Sequence, residues 1–157
     1  MQDEPFDKAS RAILNELQQD TRLSQQELAE RVGLSATPVW RRIRELSERG
    51  VIRRFVALLD REKLGLHACV LANVSLERHV EGVVDGFERR VRACPEIVEC
   101  HGITGEADYL IKVVVPDMKA YDRFLHEVMF RIPGVASIRT NVVLREVKYE
   151  TALPLPR

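Results

Sequence analysis

SQQELAERVGLSATPVWRRIRELSERGVIRR, residues 24–54, is the stretch on which the fold of this chain turns. Ser24 followed by Glu27 has the spacing of a capping box, in which hydroxyl and carboxylate each satisfy a backbone N–H left open at a helix start. Leu28, Ala29 and Val32 then form one short apolar face. Gly33 stands where a left-handed residue ends a helix at low steric cost, and Leu34 can pack into the corner. A second helix opens at Ser35 or Thr37, either of which can cap it. Pro38 is tolerated in its first turn because no intrahelical N–H bond is lost there. At about 100° per residue, Val39, Ile43 and Leu46 share one narrow sector, the buried one, while Thr37, Arg41, Arg44 and Glu48 lie opposite.

Charge adds to this pattern. Between Arg31 and Arg54 there are seven arginines (31, 41, 42, 44, 49, 53 and 54) against two glutamates (45 and 48), while the whole chain is formally neutral. The excess is therefore a local device. A charge run alone is ordinarily a solvated face. Here cap, glycine turn, apolar triplet and local charge agree on a hairpin of helices whose second member fits a DNA major groove. Thr37 and Arg41, near that helix's N-terminus, are the expected base-edge contacts, with Ser35 and Ala36 close by. Arg44, Arg53 and Arg54 are placed for phosphates, whereas Arg42 lies nearer the core sector. Trp40 sits at the border of the apolar sector, able to touch a base or sugar or to pack on the first helix. Glu48 is four residues from Arg44, the spacing of an intrahelical pair.

A chain of 157 residues suffices for one ordinary domain or two small ones, and 45% hydrophobic with 31% charged residues is a globular composition. No apolar run approaches the ~18 residues of a membrane span, and MQDEPFDKAS lacks the pattern of a signal peptide. The three cysteines, 69, 94 and 100, have no metal or redox spacing. These features predict a cytoplasmic protein with no membrane partner. Cys100-His101 beside Cys69 and His67 offers no ligand spacing either, so no metal is expected.

In chain order, Met1–Phe6 reads as a loose end, and Asp7 can cap a helix carrying Ala9, Ala12, Ile13, Leu14 and Leu17. After Gly50, residues 51–59 are rich in β-branched and aliphatic side chains and read as a wing strand opening on Arg53 and Arg54. DREKLGL, residues 60–66, is the expected linker. Residues 68–76 alternate as a strand, and Val80, Val83, Val84, Phe87 and Val91 recur at helical spacing. Residues 97–103 and 109–115 are strands joined by a loop, Asp117 caps a helix burying Tyr121, Phe124, Leu125, Val128 and Met129, and residues 135–149 read as a long final strand. The expected class is α+β: a winged helix-turn-helix over 1–59, then a ferredoxin-like βαββαβ domain over 67–157. That plan leaves one sheet face bare. Leu71, Ile111, Val113 or their neighbours are expected on it, covered by a second copy of the chain.

LSATPVWRRIRELSERGVIRRFVALLD resembles the DNA-binding segment of the Lrp/AsnC (feast/famine) family of transcriptional regulators. The resemblance continues in AILNELQQDTRLS, CHGITGEADYLIKVVVPDMKAY and PGVASIRTNVVLREVKY, and so spans about residues 7–153. It implies a DNA-binding regulator, not an enzyme, with no catalytic residue and no cofactor beyond a small effector. Its second domain would dimerise through the sheet, bind an amino acid between subunits, and often assemble into octamers. Gly105-Glu106-Ala107-Asp108-Tyr109 resembles the family's G-x-x-D-Y effector loop, where Asp108 could pair with an α-ammonium group and open backbone amides with an α-carboxylate. The plainer role for Gly105 and Asp108 is to shape and cap the turn. By the same resemblance Met118, Asn141, Val142 and Val143 line or transmit the site. Asn141 replaces an aromatic residue of some members, and Ala9 a larger aliphatic one. Two other functions share this two-domain plan: an architectural protein that compacts DNA, and a sirohaem decarboxylase.

Overall fold

The computed structural model describes residues 6–77 and 82–155. They divide into two compact units: residues up to Leu58 together with the chain from Lys148 onward, and Leu59–Val147. The last residues, assigned by sequence to the second domain, thus group with the first.

The first unit is a three-helix core. Helix α1 (Lys8–Gln19) starts where Asp7 accepts from the Ser10 amide at 2.7 Å. That bond, with nearby Arg42, holds the Asp7 carboxyl below its ordinary range. Helix α2 (Gln25–Val32) carries the full capping box, Glu27 N–H to Ser24 Oγ at 3.2 Å and Ser24 N–H to Glu27 Oε2 at 2.8 Å. It ends on Gly33 at φ 68°, where the Leu34 amide closes the open Ala29 carbonyl. Helix α3 (Ala36–Glu48) has Ser35 at its N-cap, without a side-chain capping bond. Ile13, Leu28, Ala29 and Val39 are buried together, with Leu17, Leu23, Val32, Leu34, Ala36 and Ile43 packed around them. Such a small core leaves helix ends to matter. Ser24→Ala should cost about 1 kcal/mol and lower the melting temperature of the chain by several degrees, as read by circular dichroism. An unchanged melt would mean α2 is held by packing alone.

The chain from Lys148 returns to this core. The Gln18 side-chain amide pairs with the Leu153 backbone as another strand would, accepting from its N–H at 2.6 Å and donating to its carbonyl at 3.3 Å.

The second unit contains one antiparallel sheet of order β2-β3-β1-β4: β1 (Ala68–Leu76), β2 (Ile97–Gly102), β3 (Tyr109–Val115) and β4 (Val135–Val142). Helices α4 (Val83–Arg92) and α5 (Met118–Glu127) follow β1 and β3. Together these give the ferredoxin-like order expected. Alternation sends Val70, Ala72 and Val74 of β1 and Ile111, Val113 and Val115 of β3 into a core shared with Phe87, Val91, Tyr121, Phe124 and Met129. Asp117 caps α5 through the Ala120 amide at 2.7 Å.

Three expectations need correction. Residues 51–59 form no strand: the amides of Val51 and Ile52 fold back onto the Leu46 carbonyl, and no described strand lies beside Arg53–Leu59 to bond with it. Phe55, Val56, Leu58 and Leu59 are correspondingly exposed. The final strand stops at Val142 and not at Tyr149, because β1 begins at Ala68; past the bond from the Val143 amide to the Cys69 carbonyl, the ladder has no further edge. Helix α4 is described from Val83, and Val80 lies outside the described residues. Finally, Ile111 and Val113 are fully buried on the helix side. The open face instead carries Leu71, Asn73 and Ser75, Leu110, Lys112 and Val114, Glu99 and His101, and Ser137, Arg139 and Asn141. It is far more polar than an uncovered core. Residues 60–66, read as a linker, are a compact turn in which the Asp60 carboxylate accepts from the Glu62 and Lys63 amides.

Candidate nucleic-acid interface and effector site

Burying Val39 and Leu46 turns the other side of α3 outward. Ser35, Thr37, Trp40, Arg41 and Arg44 are exposed there, and Ala36 is half-buried at the helix start. Arg41 and Arg44 are each paired one turn on, Arg41 Nε to Glu45 at 3.5 Å and Arg44 Nε to Glu48 at 2.7 Å. The second pair matches its spacing; the first was not anticipated. Trp40 is 48% exposed with the Arg44 guanidinium 5.8 Å from its ring, so it belongs to the outer face and not to the packing against the first helix. Arg42 does not belong there. Its guanidinium meets Asp7 at 2.9 Å and is largely covered, tying α3 to the start of α1. Arg31 is likewise held by Glu16 at 3.1 Å. Arg53 and Arg54 are exposed and have no carboxylate partner among the described residues. Free positive charge therefore lies just beyond α3, while the arginines on α3 itself are already matched.

In the second unit, the loop 103–108 is pinned and not free. Asp108 Oδ2 accepts from the Leu76 amide at 2.7 Å, the Asp108 amide donates to the Val74 carbonyl, and the Ile103 amide donates to the Asp108 carbonyl. Asp108 thus shapes the turn, whatever else it does. Gly105 has φ 116°, a backbone conformation open to few other residues. Tyr109 packs against Phe87, the rings tilted by 43° with centroids 4.7 Å apart, and donates its hydroxyl to Glu88 at 3.1 Å. Desolvation first, then that bond, raises its pKa. Asp108 and Tyr109 therefore join the loop to β1 and α4.

The loop separates two hollows. One, about 570 Å³, lies on its α4 side and is lined by Leu76, Glu77, Val83, Asp85, Asp108 and Tyr109 among others. The other, about 240 Å³, opens on the uncovered sheet face and is lined by Asn73, Ser75, Ile103, Thr104, Glu106, Ala107, Ser137 and Arg139. Across its mouth Arg139 meets Glu106 at 2.9 Å, both side chains mostly exposed. Met118, Asn141, Val142 and Val143 are elsewhere. Met118 follows the far end of β3, and Asn141 pairs with Leu71 near the start of β1, donating its amide to the Leu71 carbonyl at 3.3 Å. At the strand rise of about 3.3 Å per residue, Met118 and Val143 lie ~20 Å along the strands from the loop, and Asn141 and Val142 ~10–13 Å. One copy of the chain brings Asn141 to the neighbourhood of Arg139 but leaves Met118 and Val143 apart from the loop. Sequence reasoning missed Asn73, Ser75, Ser137 and Arg139. Polar residues on the non-core phase of β1 and β4 were the only signal, and that phase reads as ordinary surface.

Two of the three thiols are harder to ionise than a free cysteine. Burial, then the bond to Glu96, pushes the Cys94 thiol up to about 11, and burial raises that of Cys100. Among the described residues no group of three or more His, Cys, Asp or Glu side chains converges as a metal site would, and no helix is long and apolar enough to cross a membrane.

Comparison with known proteins agrees with both units. Residues 6–53 match the winged helix-turn-helix DNA-binding family, and residues 69–153 match the Lrp/AsnC ligand binding domain. The chain is 44% identical over 148 residues to the leucine-responsive regulatory proteins of Escherichia coli and Salmonella typhimurium, covering 94% of itself and 90% of each. Its fold superposes with TM-score 0.92 on a Neisseria meningitidis transcriptional regulator solved in complex with L-Met, at 36% identity and covering 96% and 97% of the two chains. An AsnC family transcriptional regulator of Agrobacterium tumefaciens gives 0.90 at 40% identity, with the same coverage. With both units matched by family models and 44% identity to leucine-responsive regulators over 94% of its length, the chain belongs to the Lrp/AsnC family of transcriptional regulators.

Proposed function

We propose that this regulator binds specific DNA sites as a dimer or larger assembly, and that a small amino acid held in the open-face hollow adjusts that binding. The observation that carries the DNA half is the single exposed face of α3: Thr37 and Arg41 stand together near its N-terminus, backed by buried Val39 and Leu46. Two such helices entering successive major grooves read half-sites ~10 bp apart, or a multiple of that. Thr37 and Arg41 take base edges, with Ser35 and Ala36 beside them; Arg44, Arg53 and Arg54 take phosphates. Polar Leu71–Leu110–Val114 surroundings aside, these three apolar side chains give the open sheet face a centre on which a second copy can pack.

The effector half rests on the Arg139–Glu106 pair. An α-amino acid carries a carboxylate and an ammonium, and this pair presents one partner for each at the rim of a hollow of suitable size. Being exposed, the pair is weakly held in water and exchanges readily for a zwitterion. Asn73, Ser75, Thr104 and Ser137 offer further hydrogen bonds. An amino-acid effector also agrees with the L-Met complex of the Neisseria relative and the leucine response named for the enterobacterial ones.

Arg139→Ala should weaken the amino acid's binding about tenfold or more, the usual size of a lost charge-assisted bond. It should leave DNA affinity without effector unchanged. Calorimetric titration with leucine and methionine reads the first, and anisotropy on duplex DNA the second. Undiminished amino-acid binding in the variant would remove this hollow as the site.

A further inference from the structure

The recognition helix carries carboxylates where a DNA-facing surface has least use for them. Glu45 lies one turn from Arg41, 3.5 Å from its Nε, and both side chains are more than half exposed on the face opposite Val39 and Leu46. Past the end of the helix, exposed charge is arranged differently. Arg53 and Arg54, beyond the helix, have no carboxylate partner among the described residues, and Arg42 is turned inward to Asp7. Attraction for any phosphate backbone is thus concentrated past the end of α3, and the part of α3 that would meet base edges is electrically balanced.

We propose that Glu45 is a specificity-determining residue, a filter that keeps Arg41 from settling on phosphates; this rests on the DNA-binding reading above. Two physical effects combine. In an ill-fitting groove, Arg41 must leave Glu45 to reach a phosphate, and Glu45 is then left facing like charge. In a matching groove, Arg41 reaches a guanine edge bidentately through its terminal nitrogens while its Nε stays beside Glu45, which holds the guanidinium plane in place. The carboxylate therefore penalises wrong docking more than right docking, which is how discrimination is gained without added affinity.

The test uses the full-length chain and two probes: a duplex selected by the wild type from a random-sequence library, and an unselected random duplex of equal length. Glu45→Gln keeps the size of the side chain and, lying on an exposed helix face, is compatible with the fold; an unchanged melting curve checks this. Binding of the random duplex should tighten about fivefold or more. Its log K against log salt should steepen by about 0.9, the increment for one more neutralised phosphate. The selected duplex should gain less, so that the ratio of the two affinities falls. Glu48→Gln supplies the comparison: Arg44 is a phosphate residue, so its release should tighten both duplexes alike. Equal changes on both duplexes with Glu45→Gln, or no change on either, would overturn the filter. So would a loss confined to the selected duplex, which would make Glu45 a base contact instead. A wild type that prefers no sequence at all would overturn the DNA-binding reading and the filter with it, and this would be seen before any variant is made.

Discussion

Phe87→Ala should destabilise the second unit by about 3–5 kcal/mol, the cost of truncating a fully buried phenylalanine, and so lower its melting temperature by more than about 10 °C. Phe87 has no exposed surface and lies on α4 beneath the sheet, among Val70, Val74, Ile111 and Val113. Its ring also supports Tyr109, the last residue of the Gly105–Tyr109 loop motif. Loss of the ring would therefore leave a cavity and also free the support of the segment that separates the two hollows. The expected consequence is loss of amino-acid binding at temperatures where circular dichroism still shows a folded chain. Phe87→Leu, which keeps most of the volume, should restore much of both. A melt within a degree or two of wild type would contradict the packing described.

Arg41→Ala should cost about 1–3 kcal/mol at one position of the preferred DNA site and relax the preference there. Arg53→Ala is its counterpart: outside α3 and without a carboxylate partner among the described residues, it should weaken all duplexes alike and flatten the salt dependence. The two variants separate reading from gripping, which the proposed function places at different parts of the chain. Selection from a random library by each variant shows whether one base position broadens. If both variants lost affinity equally on selected and random duplexes, the division between Arg41 and Arg53 would not exist.

Much of this architecture was legible because it is local. The Ser24–Glu27 box, the Gly33 stop, the Asp7 and Asp117 caps, and the apolar phase of β1 all follow from residues within a turn or two of one another, and each forms as its spacing predicts. What could not be read depends on partners distant in sequence. Residues 51–59 and 143–149 have the composition of strands, yet a strand forms only beside another, and among the described residues neither has one. The phase of β3 was misjudged because Leu110 to Val115 are apolar on both faces except at Lys112, and that single charge, which marks the open side, was outweighed by the apolar run. Pairing with β1 decides it, placing Ile111 opposite Ala72 and Val113 opposite Val70.

The candidate sites divide in the same way. Exposure of Thr37, Arg41 and Arg44 follows from helical period, whereas the diversion of Arg42 to Asp7 depends on how α1 crosses α3. In the loop 103–108, Gly105 and Asp108 were singled out by motif, but the bond from the Leu76 amide shows Asp108 already engaged in the fold. The Arg139–Glu106 pair joins residues 33 positions apart and has no signature along the chain.

The most direct test of the whole account is an anisotropy titration of two duplexes, one selected by the protein from a random library and one unselected, at fixed salt, with and without each common amino acid at millimolar concentration. The account predicts that the selected duplex binds at least about 10³-fold more tightly, and that leucine, methionine or another small amino acid shifts that affinity while others leave it alone. Equal affinity for both duplexes, unmoved by every amino acid, would contradict it.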